Sequence, residues 1–248
     1  MKSIAGQDVL ITGGSAGIGL AIAKSMLAQG ARVGICARDA DRLRAVTQEV
    51  PGLHTFVADV GRTADLRRLV AEVSERLGGL SILVNNAGIQ YQYRFPDAPT
   101  EEVLEKVDYE LSVNFGGMVK LTALLLPRLL DAPEAVIVNV SSSLAITPKA
   151  SAPVYCATKA AVHSFSRSLR YQLEDAESRV AVLDVMPPLV DTAMTAGRWQ
   201  GKLRPEDVAE AVLEAILEGR QVLKLGDAAR LDILNRLAPE FAARRVRG

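Results

Sequence analysis

At 248 residues, 49% of them hydrophobic, the chain has the bulk for one large core and no need of a second domain. Its 29 basic and 29 acidic residues cancel, which argues against the basic face that a nucleic-acid binder needs. Two cysteines, Cys36 and Cys156, and two histidines, His54 and His163, supply neither a disulfide framework nor a metal-ligand cluster, and fit a reduced, cytoplasmic compartment.

Short apolar runs alternate with helical patterns from end to end. Met1 to Gln7 is short and leads straight into a strand, so no signal peptide is expected. Asp8 to Thr12 reads as that strand, followed by a glycine-rich turn and a helix through Gln29. Arg32 to Ala37 is a second strand, with a helix over Asp39 to Val50. Leu53 to Val57 and a helix over Thr63 to Leu77 repeat the pattern, and Ile82 to Asn85 is a fourth strand. A loop rich in proline and aromatic residues, Ile89 to Pro99, precedes a long helix that Thr100 can cap and that runs to about Leu130. No apolar run reaches the roughly eighteen residues of a membrane span, and Leu121 to Leu130, broken by Pro127 and Arg128, reads as a buried helix end. Ala135 to Val140 is a fifth strand, Val154 to Leu173 a helix and Arg179 to Val185 a sixth strand. Pro205 suits the first turn of a helix ending near Glu218, and Gln221 to Leu225 is a weaker seventh strand. The amphipathic tail from Asp227 ends basic, at Arg244, Arg245 and Arg247, and reads as a solvated end. This alternation predicts an α/β fold: a single-domain, Rossmann-type, doubly wound parallel sheet of about seven strands, with helices on both faces, across residues 1–248.

The residues that carry chemistry follow the strands, at the edge where such sheets bind ligands. Gly13, Gly17 and Gly19 lie between the first strand and its helix. There, glycines let the backbone approach a pyrophosphate, and the helix N-terminus offers free N–H groups. The second strand ends Cys36-Ala37-Arg38-Asp39. Ala37 leaves empty the slot where a carboxylate would hold the ribose hydroxyls of NAD, while Arg38 can meet the 2′-phosphate of NADP through its planar fork. NADP(H) is therefore expected in preference to NAD(H). Asp39 reads as the N-cap of the next helix. Asp59, followed by Val60, comes after the third strand, where a carboxylate can accept from an adenine amino group. Asn85-Asn86-Ala87-Gly88 closes the fourth strand, and its two asparagines partly brace the loop. Tyr155 and Lys159, four residues apart among helix formers, fall on one helix face. A phenol has an unperturbed pKa of about 10, and a neighbouring ammonium favours its phenolate.

Thr12-Gly13-x-x-x-Gly17-Ile18-Gly19, Asn85-Asn86-Ala87-Gly88, Asn139-Val140-Ser141-Ser142 and Tyr155-x-x-x-Lys159 together resemble the short-chain dehydrogenases/reductases, in that family's order and spacing and over nearly the whole chain. The resemblance implies a Ser thirteen residues before the Tyr, which selects Ser142 over Ser141 and Ser143, and an Asn in the preceding long helix, matched by Asn114. In the mechanism it implies, Ser142 donates to the substrate carbonyl oxygen and Tyr155 exchanges a proton with it. Lys159 holds the ribose hydroxyls and lowers the tyrosine pKa, and Asn114 positions a water linking Lys159 to solvent. It further implies a dinucleotide held by Gly13, Ser15, Gly17, Ile18, Gly19, Arg38, Asp59, Val60, Asn86, Ala87, Gly88, Tyr155, Lys159, Pro187, Val190 and Thr192.

One stretch departs from the common family pattern of Pro-Gly after the sixth strand: here it reads Met186-Pro187-Pro188-Leu189-Val190-Asp191-Thr192. A subgroup of oxidoreductases known chiefly by sequence, some encoded beside D-alanylation genes, is similar in having Pro-Pro here and Val-Tyr-Cys-Ala-Thr-Lys around the Tyr. Pro188 is thus a variant and not a defect. The substrate pocket is expected from Gln90, Tyr91, Tyr93, Leu144 to Ile146, Leu189, Met194 and Trp199, and these point to a mainly apolar carbonyl compound or alcohol. The stretch between Thr192 and Pro205 is a candidate lid. Family members assemble as dimers or tetramers, so a homodimer or homotetramer through Thr100 to Leu130 and Val154 to Leu173 is expected. The rival reading is a dinucleotide-binding regulator or scaffold that kept the fold without turnover.

Overall fold

The computed structural model of the chain describes residues 1–197 and 201–247. Among them, seven strands form one sheet: β1 (Asp8–Thr12), β2 (Arg32–Ala37), β3 (His54–Val57), β4 (Ile82–Asn85), β5 (Ala135–Val140), β6 (Val180–Met186) and β7 (Val222–Lys224). Every neighbouring pair is parallel, in the order β3-β2-β1-β4-β5-β6-β7. The helices are α1 (Gly17–Ala28), α2 (Ala40–Glu49), α3 (Thr63–Leu77), α4 (Thr100–Leu111), α5 (Gly117–Asp131), α6 (Pro153–Asp175), α7 (Pro205–Leu217), α8 (Asp227–Leu237) and α9 (Pro239–Val246).

Parallel strands covered on both faces are apolar at nearly every position, and the two-residue period sorts their side chains between two cores. Val9, Ile11, Val84 and Val138 pack with Ile22 and Met26 of α1, Leu43 of α2 and Val212 of α7. Leu10, Leu83 and Ile137 point the other way, onto Leu66 of α3, Leu125 of α5 and Leu169 of α6. The chain runs from β1 outward to β2 and β3, then returns to β4 on the opposite side of β1. That reversal opens a crevice beyond the carboxyl ends of β1 and β4, where the candidate residues lie.

Two elements differ from the sequence expectation. The run from Thr100 is not one regular α-helix. A π turn over Ser112–Gly116 joins α4 to α5 and carries Asn114. A π turn adds a residue without breaking the apolar pattern on either side, so periodicity does not reveal it. The whole run is also long and apolar enough, by length and composition alone, to cross a bilayer. Here Leu121, Leu125 and Leu129, four residues apart, are buried against the sheet as one stripe of α5, which continues through Pro127 to Asp131. The tail, expected as a single amphipathic stretch, folds as α8 and α9, divided at Pro239.

Candidate active site

The first strand and the fourth are stitched together at the crevice by one hydroxyl. Thr12 Oγ1 donates to the Val84 carbonyl (3.3 Å) and accepts from the Asn86 and Ala87 amides (3.0 Å each). Asn86 returns its side-chain amide to the Thr12 carbonyl at 2.9 Å and the Gly13 carbonyl at 3.2 Å. The glycine loop therefore has a fixed wall. Gly17 sits at φ +53°, with Thr192 Cγ2 only 2.9 Å from where a Cβ would stand. At Gly19 a Cβ would meet Asn86 Nδ2 at 2.4 Å. Gly19 is buried and lets the loop and helix close up behind the crevice, whereas Gly13, Gly17 and Ile18 line it.

The N-terminus of α1 carries no side-chain cap and no acidic residue in its first turn. Its free N–H groups face a glycine cradle, which is the arrangement that receives a pyrophosphate. By contrast, α2 is capped: Asp39 Oδ1 accepts from the Asp41 and Arg42 amides at 3.0 Å, as the sequence implies.

Two chambers share Gly13, Arg42, Ala87 and Gly88 in their walls. The inner one, of about 300 Å³, gathers Asn86, Ser142, Tyr155, Lys159, Pro187, Val190 and Thr192 around the glycine loop. The outer one, of about 270 Å³, gathers Ser15, Arg38, Asp59 and Val60 with Tyr109. Arg38 Nη1 donates to the Tyr109 hydroxyl at 2.5 Å, and that hydroxyl donates to Asp59 Oδ2 at 3.1 Å. The dimensions and donor set fit an extended dinucleotide.

In the inner chamber the Lys159 ammonium stands 5.7 Å from the Tyr155 ring centroid and donates to the Val140 carbonyl at 2.7 Å. Lys159 is buried, and desolvation pulls its pKa down to about 8, against the opposing pull of the Asp184 carboxylate. The three consecutive serines separate by what they touch. Ser141 is committed to Asp184 Oδ1 (2.5 Å) and the Val185 carbonyl. Ser142 lines the chamber, its oxygen accepting the Leu144 amide at 3.1 Å and its proton left to donate. Ser143 opens a 3₁₀ turn and is tied by its amide to the Pro187 carbonyl.

The Asn114 side chain is engaged within the protein. Its oxygen accepts the Ile89 amide (2.8 Å), and its nitrogen donates to the Ile89 carbonyl (2.9 Å) and to Thr158 Oγ1 (3.1 Å). It clamps the loop after β4. Beside it, a small space of about 10 Å³, close to the room one water needs, is bordered by Thr12, Asn85, Asn114 and Lys159. Asn85 Oδ1 is buried and has no protein partner. Sequence reasoning missed Arg42 and Tyr109 in the cleft wall. It also missed Glu110, whose Oε1 accepts the Tyr91 amide at 3.1 Å and whose carboxyl burial pushes up from its ordinary range.

The substrate candidates divide. Met194 lines the inner chamber. Leu144 and Ala145 line a neighbouring apolar recess of about 580 Å³ with Cys156 and Ala243. Tyr93 is buried and meets Phe95 edge-on at 5.5 Å, so it packs the loop. Gln90 accepts from Lys149 Nζ at 3.4 Å, and the Tyr91 ring is covered by Lys106 Nζ at 5.7 Å. Trp199 lies outside the described residues, as does part of the candidate lid.

A glycine cradle at an uncapped helix, continuous with a Ser-Tyr-Lys chamber, defines an NAD(P)-dependent oxidoreductase acting between CH–OH and C=O. The family model described as short chain dehydrogenase matches residues 7–203, and the chain belongs to that family. It is 42% identical to the uncharacterized oxidoreductase DltE of Bacillus subtilis, over 91% of this chain and 93% of that one. It is 30% identical to an uncharacterized oxidoreductase of Staphylococcus aureus, over 90% and 96%. Among solved structures, a 3-ketoacyl-(acyl-carrier-protein) reductase from Brucella melitensis complexed with NADH matches with TM-score 0.81 and 28% identity, over 89% of this chain and 97% of that one. A short chain dehydrogenase from Burkholderia cenocepacia in complex with NADP matches with TM-score 0.86 and 25% identity, over 98% of each.

Proposed function

We propose that the protein is an NADP(H)-dependent carbonyl reductase or alcohol dehydrogenase for a mainly apolar small molecule. The observation that carries this reading is the meeting of Ser142, Tyr155 and Lys159 with the glycine loop in one chamber. Gly13, Ser15, Gly17, Ile18, Asn86, Ala87, Gly88, Pro187, Val190 and Thr192 would hold the dinucleotide, with Val60 and Asp59 at the adenine end and Arg38 at the 2′-phosphate. When bound, the cofactor supplies or takes the hydride.

The protein's own residues handle the oxygen. Ser142 donates to it, and Tyr155 gives it a proton in reduction or removes one in oxidation. The Lys159 ammonium favours the phenolate, and its donors not used by Val140 are free for ribose hydroxyls. A water in the small space beside Asn114 links Lys159 onward. Among the described residues, the inner chamber's only charged side chains are Lys159 and Arg42, and Ile18, Pro188, Val190 and Met194 give it an apolar lining. Both cysteines are buried and unpaired, in keeping with a cytoplasmic enzyme.

The test is loss of NADPH absorbance with a panel of ketones, diketones and aldehydes. At least one apolar member is expected to turn over faster than the blank, and a panel indistinguishable from the blank would overturn the reading. The pH profile is a sharper check. Lys159 keeps its charge below about pH 8 and sheds it above. The reduction rate is therefore expected to fall as pH rises through that value, and a rate that climbs through it contradicts the assignment.

The same reading extends to assembly. Leu104, Leu111 and Leu130 on the α4–α5 rod and Tyr171 on α6 are exposed, and we assign them to the interface of a homodimer or homotetramer. Light scattering is expected to return the mass of two or four chains, and a one-chain mass removes the assignment.

A further inference from the structure

A recess of about 300 Å³ opens between α6, β6, β7 and α8, and shares no lining residue with the two chambers of the cleft. Arg167, Arg170, Lys224, Arg236 and His163 line it, against two carboxylates, Asp184 and Asp232. Both carboxylates are engaged. Asp232 Oδ2 binds Lys224 (2.6 Å) and Arg236 (3.1 Å). Asp184 binds His163 Nδ1 (2.5 Å) and Ser141.

Among the described residues, two guanidinium groups are left without a counter-charge. Arg170 is only 9% exposed. Its Nη2 donates to the Gln221 carbonyl at 2.8 Å and the Val182 carbonyl at 3.3 Å, and its Nε meets no acceptor. Among the described residues no carboxylate lies within ion-pair distance of it. Arg167 bonds the Tyr171 hydroxyl and lies over that ring, 5.6 Å from its centroid. A buried cation without a partner is costly, and the cost is removed when an anion arrives. The formal charge of the chain sums to zero, so the surplus here is local and not a general excess.

We propose that this recess is a binding site for a phosphate-bearing small molecule. Buried Arg170 forms its floor and exposed Arg167 and Arg236 its rim, while Lys224, which with Arg236 shares the single carboxylate of Asp232, adds an ammonium to the wall. Planar forks and an ammonium converging on one small volume suit a tetrahedral dianion. The recess wall includes Asp184, the carboxylate that anchors Ser141, the residue next to Ser142. The recess therefore reaches the catalytic loop through a single side chain.

Inorganic phosphate is the probe, with chloride at matched ionic strength as reference and thermal unfolding as readout. Arg170 caps two backbone carbonyls, so the exposed pair is replaced instead, as R167A/R236A. At ten times its dissociation constant, phosphate should raise the midpoint of the wild type by roughly 3–6 °C, and the double variant should lose most of that rise. The difference between the two proteins is the measure, because phosphate entering the dinucleotide cleft stabilises both equally. The result thus stands or falls apart from the NADP(H) reading. Equal shifts in both proteins would overturn the proposal. So would a midpoint that follows protein concentration and ignores phosphate, which would assign the recess to a carboxylate of a second copy of this chain.

Discussion

Replacing Tyr155 by Phe is expected to cut the turnover of any accepted ketone by roughly 10²–10⁴-fold, the range that a positioned general acid contributes. The substitution removes one hydroxyl and keeps the ring. Tyr155 is half-buried in the wall of the inner chamber, on α6. The helix should therefore stay in place, as should the Lys159 ammonium, which is held independently by the Val140 carbonyl. Because the glycine cradle and Arg38 are untouched, NADPH affinity should change little. The signature is thus a fall in kcat with cofactor binding retained, measured by NADPH fluorescence titration beside the turnover assay. If Y155F and wild type turn over the best substrate at the same rate, proton transfer does not pass through this residue and the chemistry assigned to the chamber is wrong.

The fold was legible because burial on both faces leaves a parallel strand little choice of residue, as in Val9-Leu10-Ile11 or Val136-Ile137-Val138. The glycine loop was legible because its spacing is a steric demand, now visible as the clash a Cβ would make at Gly19. Ser142 is different. Neither pattern nor propensity distinguishes it from Ser141 and Ser143; only family spacing does, and the physical reason is remote, the capture of Ser141 by Asp184, 43 residues on. Tyr109 was invisible for the same cause, since its partners Arg38 and Asp59 lie 71 and 50 residues away. Arg42 and Glu110 did leave signals. Arg42 follows Arg38 by four residues at the start of α2, and Glu110 follows the buried Val103 by seven on α4, on the same helix face.

Replacing Arg38 by Ala is expected to weaken NADPH by roughly 10–100-fold, the worth of one charge-assisted hydrogen bond or somewhat more, while NADH binding stays within a few-fold. The Arg38 guanidinium is held in advance. Its Nη1 bonds the Tyr109 hydroxyl, and the group lies 5.7 Å from the centroid of that ring, so it is oriented before any ligand arrives. The hydroxyl in turn reaches Asp59, whose carboxylate also acts on the Arg38 guanidinium. Removing Arg38 does more than delete a donor, because it leaves Asp59 facing a 2′-phosphate without its counterweight. An unphosphorylated ribose has no such charge to repel. Tyr109→Phe separates the two contributions: the positive charge remains but its tether goes, so NADPH should weaken by a smaller factor than in R38A. Equal affinity of R38A for NADPH and NADH, relative to a wild type that prefers NADPH, is the outcome this geometry requires. A preference that survives R38A would shift the phosphate to Arg42, which borders both chambers, and would show that Arg38 serves only to fix Tyr109.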